Sequence, residues 1–498
     1  ASKQNVDPEV LNILGANLRV TATNCDDRIR ILRFQPPDYL SGFPPTLRCY
    51  SAGVHNDSIR ALGHRNMSVA FQNRLHRLCL KLIYFAAKRV NRIFHSLYLN
   101  ELTSPAFSIT IVQGKEGINM KSIYLDNAAT TAVCQEASEA ALRAMTSVYG
   151  NPSSTHKLGR EAKVLLDASR ESVASALGCR IEELVFTSGG TESDNWAIRG
   201  AAHANRHVGK HIISSMAEHD AVRKTLDQLE KDGWEITRLK PDKSGAIPVD
   251  DVAAALRSDT ALVTLMMVNN ETGGVTDIAA IARAIKVAKS RALLHTDAVQ
   301  AFLKIPFSAK TLGADLISIS GHKIHAPKGI GALYIKSGLR IPSLLYGGEQ
   351  ENSRRPGTES LPLIAAFGAA AALGKIGMEK HTQHMSELKK KVSALLCEEM
   401  PQIQLIDSGA PHILSISLPG YKSEVMMNYL EAKEIYVSKS SACKKGKRSH
   451  VLEAMGIPDR QIDGTLRIGL SRYTTYEEIC VFVQALSQAS KDLFPSLR

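Results

Sequence analysis

At 498 residues, 44% apolar and 22% charged, the chain has the composition of an ordinary globular protein, with room for about two to four domains. Its eight cysteines contain no C-x-x-C pair, which argues against a zinc ribbon, another metal site or a disulfide framework, and its longest apolar run, 78–90, is interrupted by Lys81 and Lys88, which argues against a membrane span. The formal charge of +12 is uneven, because residues 1–119 hold 15 Lys and Arg against 8 Asp and Glu.

Within that first quarter no acidic residue falls between Asp57 and Glu101, where Arg60, Arg65, Arg74, Arg77, Lys81, Lys88, Arg89 and Arg92 occur. Such a stretch suits nucleic acid or an anionic membrane, although a solvated basic helix or arm is the commoner meaning of a charge run. One helical pattern covers 69–96, and turn-prone patches at 35–38 and 43–45 precede it. The segment is Arg-rich like a transit peptide, but Asp7, Glu9, Asp26 and Asp27 come too early for that class. With no core pattern upstream, Met120 also reads as a native start.

From Ile123 onward helical and strand-like patterns alternate. A helix is predicted over 156–177, closed by Gly178, and another over 278–288. Apolar runs at 184–187, 211–215, 261–268, 292–296, 316–319 and 332–335 predict buried strands. The alternation predicts an α/β domain with a mostly parallel sheet, whose ligand sits beyond the carboxyl ends of the strands.

The residues at those ends carry the chemistry. SGGTESDN (188–195) places a glycine pair before a helix, with Thr191 and Asp194 fitting a capping box. A helix N-terminus of this kind is a site for a phosphate, or else merely a turn and cap. Asp297 lies in HTDAVQA (295–301) and Lys323 in SGHKIHAPKG (320–329). Taken singly they read as a strand-end cap and a solvated lysine; together they are the carboxylate and amine that pyridoxal 5'-phosphate requires. Cys443 lies in SSACKKGKRSH (440–450), with the composition of an exposed loop. There Lys444, Lys445, Lys447 and Arg448 favour thiolate over thiol. Cys134, Cys179, Cys397 and Cys480 sit in or beside apolar helical patterns and read as small core residues.

These segments, with LDNAATT (125–131), GNPSSTH (150–156), AEH (217–219), VNNETGGV (268–275), RRPGTES (354–360), SSAC (440–443) and LRIGLSR (466–472), resemble the cysteine desulfurases of the NifS/IscS type. The resemblance covers the chain from Met120 onward and implies nothing about residues 1–119. It implies an α/β fold-type-I pyridoxal-phosphate transferase, with a large domain over 136–375 and a smaller α+β C-terminal domain built from 120–135 and 376–498. Carried over by position, it implies that Lys323 holds the cofactor covalently, Asp297 pairs with its ring nitrogen, Gln300 donates to its phenolic oxygen and His219 stacks on its ring. Gly190, Thr191, Ser320 and His322 would hold the phosphate, joined by Thr358 from the second subunit of a homodimer. Asn270 and Arg467 would hold the carboxylate of L-cysteine, and Cys443 would take its sulfur for an acceptor protein, either an iron–sulfur scaffold or a tRNA-thiolation enzyme. The loop from Cys443 to Val451 looks about two residues shorter than in familiar members, and more basic. Selenocysteine lyase or small-amino-acid aminotransferase activity on the same fold stays open, as does a nucleic-acid or membrane binding protein built on an enzyme-like scaffold. The cysteine usage suggests a cytoplasmic setting, with a mitochondrion or other organelle as the alternative.

Overall fold

A computed structural model describes residues 122–406, 408–439 and 448–495. The helix expected over 69–96, the other expectations for residues 1–119, and Cys443 lie outside them.

Seven strands form the central sheet, in the order Leu184–Thr187, Gly331–Ile335, Leu316–Ser320, Leu293–Asp297, Thr260–Met266, His211–Ser215, Glu235–Leu239. All neighbouring pairs are parallel except those of Gly331–Ile335, which runs antiparallel to both its neighbours. Side chains alternate between two buried faces, as period-2 geometry requires. Val185, Ile212, Leu262, Leu316 and Leu333 point to one core with Trp196, Ile198 and Leu226. Phe186, Ile213, Val263, Ile317 and Ile319 point to the other with Leu166, Val173 and Phe367. Phe367 meets Phe186 and Phe302 edge-on, both at 6.4 Å between centroids, contacts worth about 0.5–1.5 kcal/mol each beyond the buried area.

Each helix and strand predicted from Ile123 onward is present, with ends displaced by at most two residues, but the fully buried strands Ile413–Ser417 and Thr465–Gly469 were not predicted. The helix Lys157–Leu177 is capped by His156 and closed by Gly178 at φ 72°, a left-handed position that glycine adopts without strain. The helix Ile278–Val287 is capped by the Asp277 carboxylate, which accepts from the Ala280 amide at 2.8 Å. Strand Glu235–Leu239 was not predicted. It sits at the sheet edge with one neighbour and a partly exposed face, where Glu235 pairs with Arg257 and Arg238 with Glu230. The alternation of polar residues there hides it from a search for apolar runs.

A second, antiparallel sheet has the order Ser438–Lys439, Thr465–Gly469, Ile413–Ser417, Gln404–Ile406. Its core joins Leu414, Ile416, Leu466 and Ile468 to Leu388, Val392 and Leu396 of helix Met378–Glu399 and to Phe482 and Leu486 of helix Tyr476–Asp492. Ile123 and Leu125 belong to that same core, and Ile123–Tyr124 pairs in parallel with Ile435–Tyr436. The segment after Leu125 therefore starts from the core of the second sheet. Among the described residues no single helix is long and apolar enough to cross a membrane.

Candidate active site

Three adjacent parallel strands end at one cavity of about 890 Å³, lined by the last residue of each: Met266, Asp297 and Ser320. Lys323 follows on the short helical turn Gly321–Lys323. Ten of the expected residues line this cavity: Gly190, Thr191, His219, Asn270, Asp297, Gln300, Ser320, His322, Lys323 and Arg467. Thr358 does not; it is exposed in the loop before helix Leu361–Ile376.

The Lys323 amine donates to the carbonyls of Ala128 and Ala129, each at 2.7 Å. Gln300 Nε2 donates to the same Ala128 carbonyl at 2.8 Å. His219 caps helix Asp220–Lys231, its Nδ1 accepting from the Ala221 amide at 3.1 Å. Burial pushes the Asp297 carboxyl above its ordinary range, opposed by the nearby charges of His219 and Lys323 and by the Val299 amide. Burial also lowers His322 to about 4, helped by the charge of Lys323, so it is a neutral ring at pH 7.

The helix behind the glycine pair differs from the prediction. It spans Gly190–Ala204, starts on Gly189 and has no side-chain cap, so the capping box expected from Thr191 and Asp194 is not formed. Glycine at φ 151° lets the helix begin early, which turns Asp194 inward to 1% exposure. Its Oδ1 has no hydrogen-bond partner and stands 3.7 Å from His295 Nε2. Burial lowers His295 to about 3, so that contact is not an ion pair, and burial together with the charge of Asp297 raises Asp194. Without a cap, the first-turn amides at Gly190 and Thr191 face the cavity end of the helix with no intrahelical partner. A Cβ at Gly190 would stand 2.8 Å from Val299 Cγ2, so the close approach there needs glycine.

Several cavity residues were not singled out from sequence. Glu218 and Glu271 lie inside quoted motifs, but only the fold reveals that they are buried. Glu218 accepts from Ser215 Oγ at 2.5 Å and from the Met266 amide, and burial raises it to about 8. Glu271 accepts from Ser449 Oγ, and burial raises it to about 7. His450 Nε2 lies 3.1 Å from the Glu218 carbonyl. Cys397, expected in a core, is exposed, because it falls on the outer side of helix Met378–Glu399.

The raised acids set a pH dependence. An unfolded chain releases the Glu218 proton near 4.5, whereas the folded chain keeps it to about 8. The stability this group contributes is therefore complete below the unfolded value and is lost as pH rises toward 8. The unfolding free energy is expected to fall from about pH 5 to about pH 8, and Glu218→Gln, which cannot ionise, to remove up to roughly 3–4 kcal/mol of that fall. Equal slopes in both proteins would mean that Glu218 is ionised throughout.

The donors in the cavity make three demands: the amine of Lys323 wants a carbonyl carbon, the buried Asp297 a cationic ring nitrogen, and the helix start with Ser320 and His322 an anion. Pyridoxal phosphate meets all three, and the surrounding architecture is that of the fold-type-I transferases. The chain belongs to the aminotransferase class-V family, whose profile matches residues 123–482. It is 42% identical over 367 residues to the cysteine desulfurase IscS of Methanosarcina thermophila, covering 72% of this chain and 89% of that protein. A solved NifS-like protein is 34% identical with a TM-score of 0.71, over 75% of this chain and 100% of that one. The solved structure of SspA in complex with cysteine is 30% identical with a TM-score of 0.62, over 71% of this chain and 100% of that one.

Proposed function

We infer that the protein is a cysteine desulfurase dependent on pyridoxal phosphate, converting L-cysteine to L-alanine and leaving the sulfur on Cys443. The observation that carries this reading is the meeting, in one cavity, of a lysine amine, a buried carboxylate and a buried arginine. Lys323 would hold the cofactor, Asp297 its ring nitrogen, Gln300 its phenolic oxygen and His219 one ring face. Gly190, Thr191, Ser320 and His322 would hold its phosphate. When bound there, the cofactor supplies an electron sink for charge developing at the substrate α-carbon.

The chain's own residues do the rest. Arg467 and Asn270 hold the α-carboxylate and so orient the Cα–H bond toward the Lys323 amine, which takes that proton and returns one to carbon. The Cys443 thiolate attacks the substrate sulfur as the carbon–sulfur bond breaks; the electron pair stays with carbon, which is protonated. Cysteine plus a protein thiol gives alanine plus a protein persulfide, with no further oxidant or reductant.

Assigning the sulfur to Cys443 draws support from the cysteines that are described. None of Cys134, Cys179, Cys397 and Cys480 lines the cavity, and burial pushes the Cys179 thiol up to about 12. Arg448 and His450, just beyond the segment that holds Cys443, do line it. The exposure of Thr358 outside its own cavity suits donation to a second subunit's phosphate site, so a homodimer is part of the proposal. So are the division into a large domain over 136–375 and a small one of 120–135 with 376–498, an iron–sulfur scaffold or tRNA-thiolation enzyme as acceptor, and a reducing, cytoplasmic setting.

Incubating the holoenzyme with L-cysteine and a thiol reductant is expected to release alanine and sulfide in equal amounts. A requirement for a 2-oxo acid, with no sulfide released, would reverse the reading to an aminotransferase.

A further inference from the structure

Arg467 is 2% exposed, yet it lines the cavity. Its Nη1 donates to the Asn270 carbonyl at 2.7 Å and its Nη2 to Asp126 Oδ1 at 2.9 Å. Nε is buried and has no hydrogen-bond partner. Asp126 carries the one negative charge paired with this guanidinium among the described residues, but it is not part of the cavity wall.

Asp126 is itself held firmly. Its backbone bridges to Gly469, two residues beyond Arg467 on the same strand. The Gly469 amide donates to the Leu125 carbonyl at 2.6 Å, and Asn127 Nδ2 donates to the Gly469 carbonyl at 2.9 Å. A Cβ at Gly469 would stand 2.5 Å from the Ala128 amide nitrogen, so this close approach needs glycine. The carboxylate of Asp126 thus reaches Arg467 from a backbone already fastened to the arginine's own strand.

We propose that Asp126 is a positioning residue for substrate recognition: with the Asn270 carbonyl it fixes both terminal nitrogens of Arg467, so that the remaining donors meet the α-carboxylate of the substrate amino acid. The inference rests on the desulfurase reading and deepens it. A guanidinium carries five N–H donors in a rigid planar fork, and a carboxylate takes two of them in parallel. One donor each to Asp126 and Asn270 leaves a second N–H on each terminal nitrogen for that pair. The geometry is set before substrate arrives, so less freedom is lost on binding. Asp126 acts through Arg467 and touches no reacting atom.

The test uses the holoenzyme with L-cysteine and with cysteamine, which has the amine and thiol but no carboxylate. Asp126→Ala is expected to raise KM for L-cysteine roughly 10- to 100-fold, with kcat within about threefold. Asp126→Asn, which keeps an oxygen acceptor at the same reach, should recover most of that loss. Cysteamine binding, read from the shift it causes in the cofactor's visible absorption, should be unchanged in both variants. An unchanged KM, a lowered KM (the result if Asp126 merely repels the substrate carboxylate), or equal losses for L-cysteine and cysteamine would overturn the proposal. Should Asp126→Ala fail to fold, the same comparison on Asp126→Asn decides, with a measurable rise in KM for L-cysteine alone as the expected result. Absence of turnover in the wild type would strike the desulfurase reading instead, and the two failures are thereby distinct.

Discussion

Lys323→Ala is expected to eliminate turnover of L-cysteine and the visible absorption of covalently held cofactor, in a protein that still folds. Among the described residues Lys323 is the one lysine lining the cavity, so no other cavity amine stands in for it. It leaves the strand Leu316–Ser320 on a tight turn, and the carbonyls of Ala128 and Ala129 hold its amine at 2.7 Å. Proton transfer by a positioned side chain contributes roughly 10²–10⁴-fold, and the loss of covalent attachment multiplies that deficit. The side chain is only half-buried, so truncating it threatens the fold little. Asp297→Ala should be milder, with weaker cofactor binding and turnover reduced by roughly 10²–10³-fold, the scale of losing one preorganised electrostatic partner. Turnover retained by Lys323→Ala, measured as alanine released, would place the proton transfer elsewhere.

What the sequence made legible follows from where each signal originates. Strands of the central sheet are mostly buried apolar runs, so Leu184–Thr187 and His211–Ser215 were readable to the residue, whereas the edge strand Glu235–Leu239 and the buried but polar-interrupted strands Ile413–Ser417 and Thr465–Gly469 were missed. The rule that chemistry sits at the carboxyl ends of parallel strands led to Asp297 and Lys323 before any geometry was known. Local capping chemistry misled at SGGTESDN, because a glycine pair lets the helix start without a side-chain cap and frees Asp194 to turn inward. Partners far apart along the chain left no mark. Asp126 and Arg467 are separated by 341 residues, and nothing local tells a carboxylate in LDNAATT that its partner lies in LRIGLSR. Burial of Glu218 and Glu271 is equally a product of assembly: each is one acid in a polar motif until the loops close over it.

Cys443→Ala is expected to separate cofactor chemistry from sulfur transfer. Chemistry at Lys323 is common to many pyridoxal-phosphate enzymes, but a thiolate nucleophile is needed only to carry sulfur away. Four cations, Lys444, Lys445, Lys447 and Arg448, follow it within five residues, and neighbouring positive charge favours the thiolate. The variant should bind pyridoxal phosphate normally and still change its visible spectrum on addition of L-cysteine, because in the proposed mechanism substrate capture and removal of the α-proton fall to Lys323, Asp297, His219 and Arg467 rather than to the thiol. It should form no protein persulfide and release no alanine above background, since the sulfur of L-cysteine then has no nucleophile to receive it as the carbon–sulfur bond breaks. An aminotransferase would be indifferent to the change. A selenocysteine lyase would keep activity toward selenocysteine, whose selenium leaves without attack by a thiol. Alanine release from L-cysteine at near the wild-type rate would overturn the desulfurase mechanism while leaving the cofactor site intact, and loss of cofactor along with activity would show that Cys443 is structural rather than the carrier of sulfur.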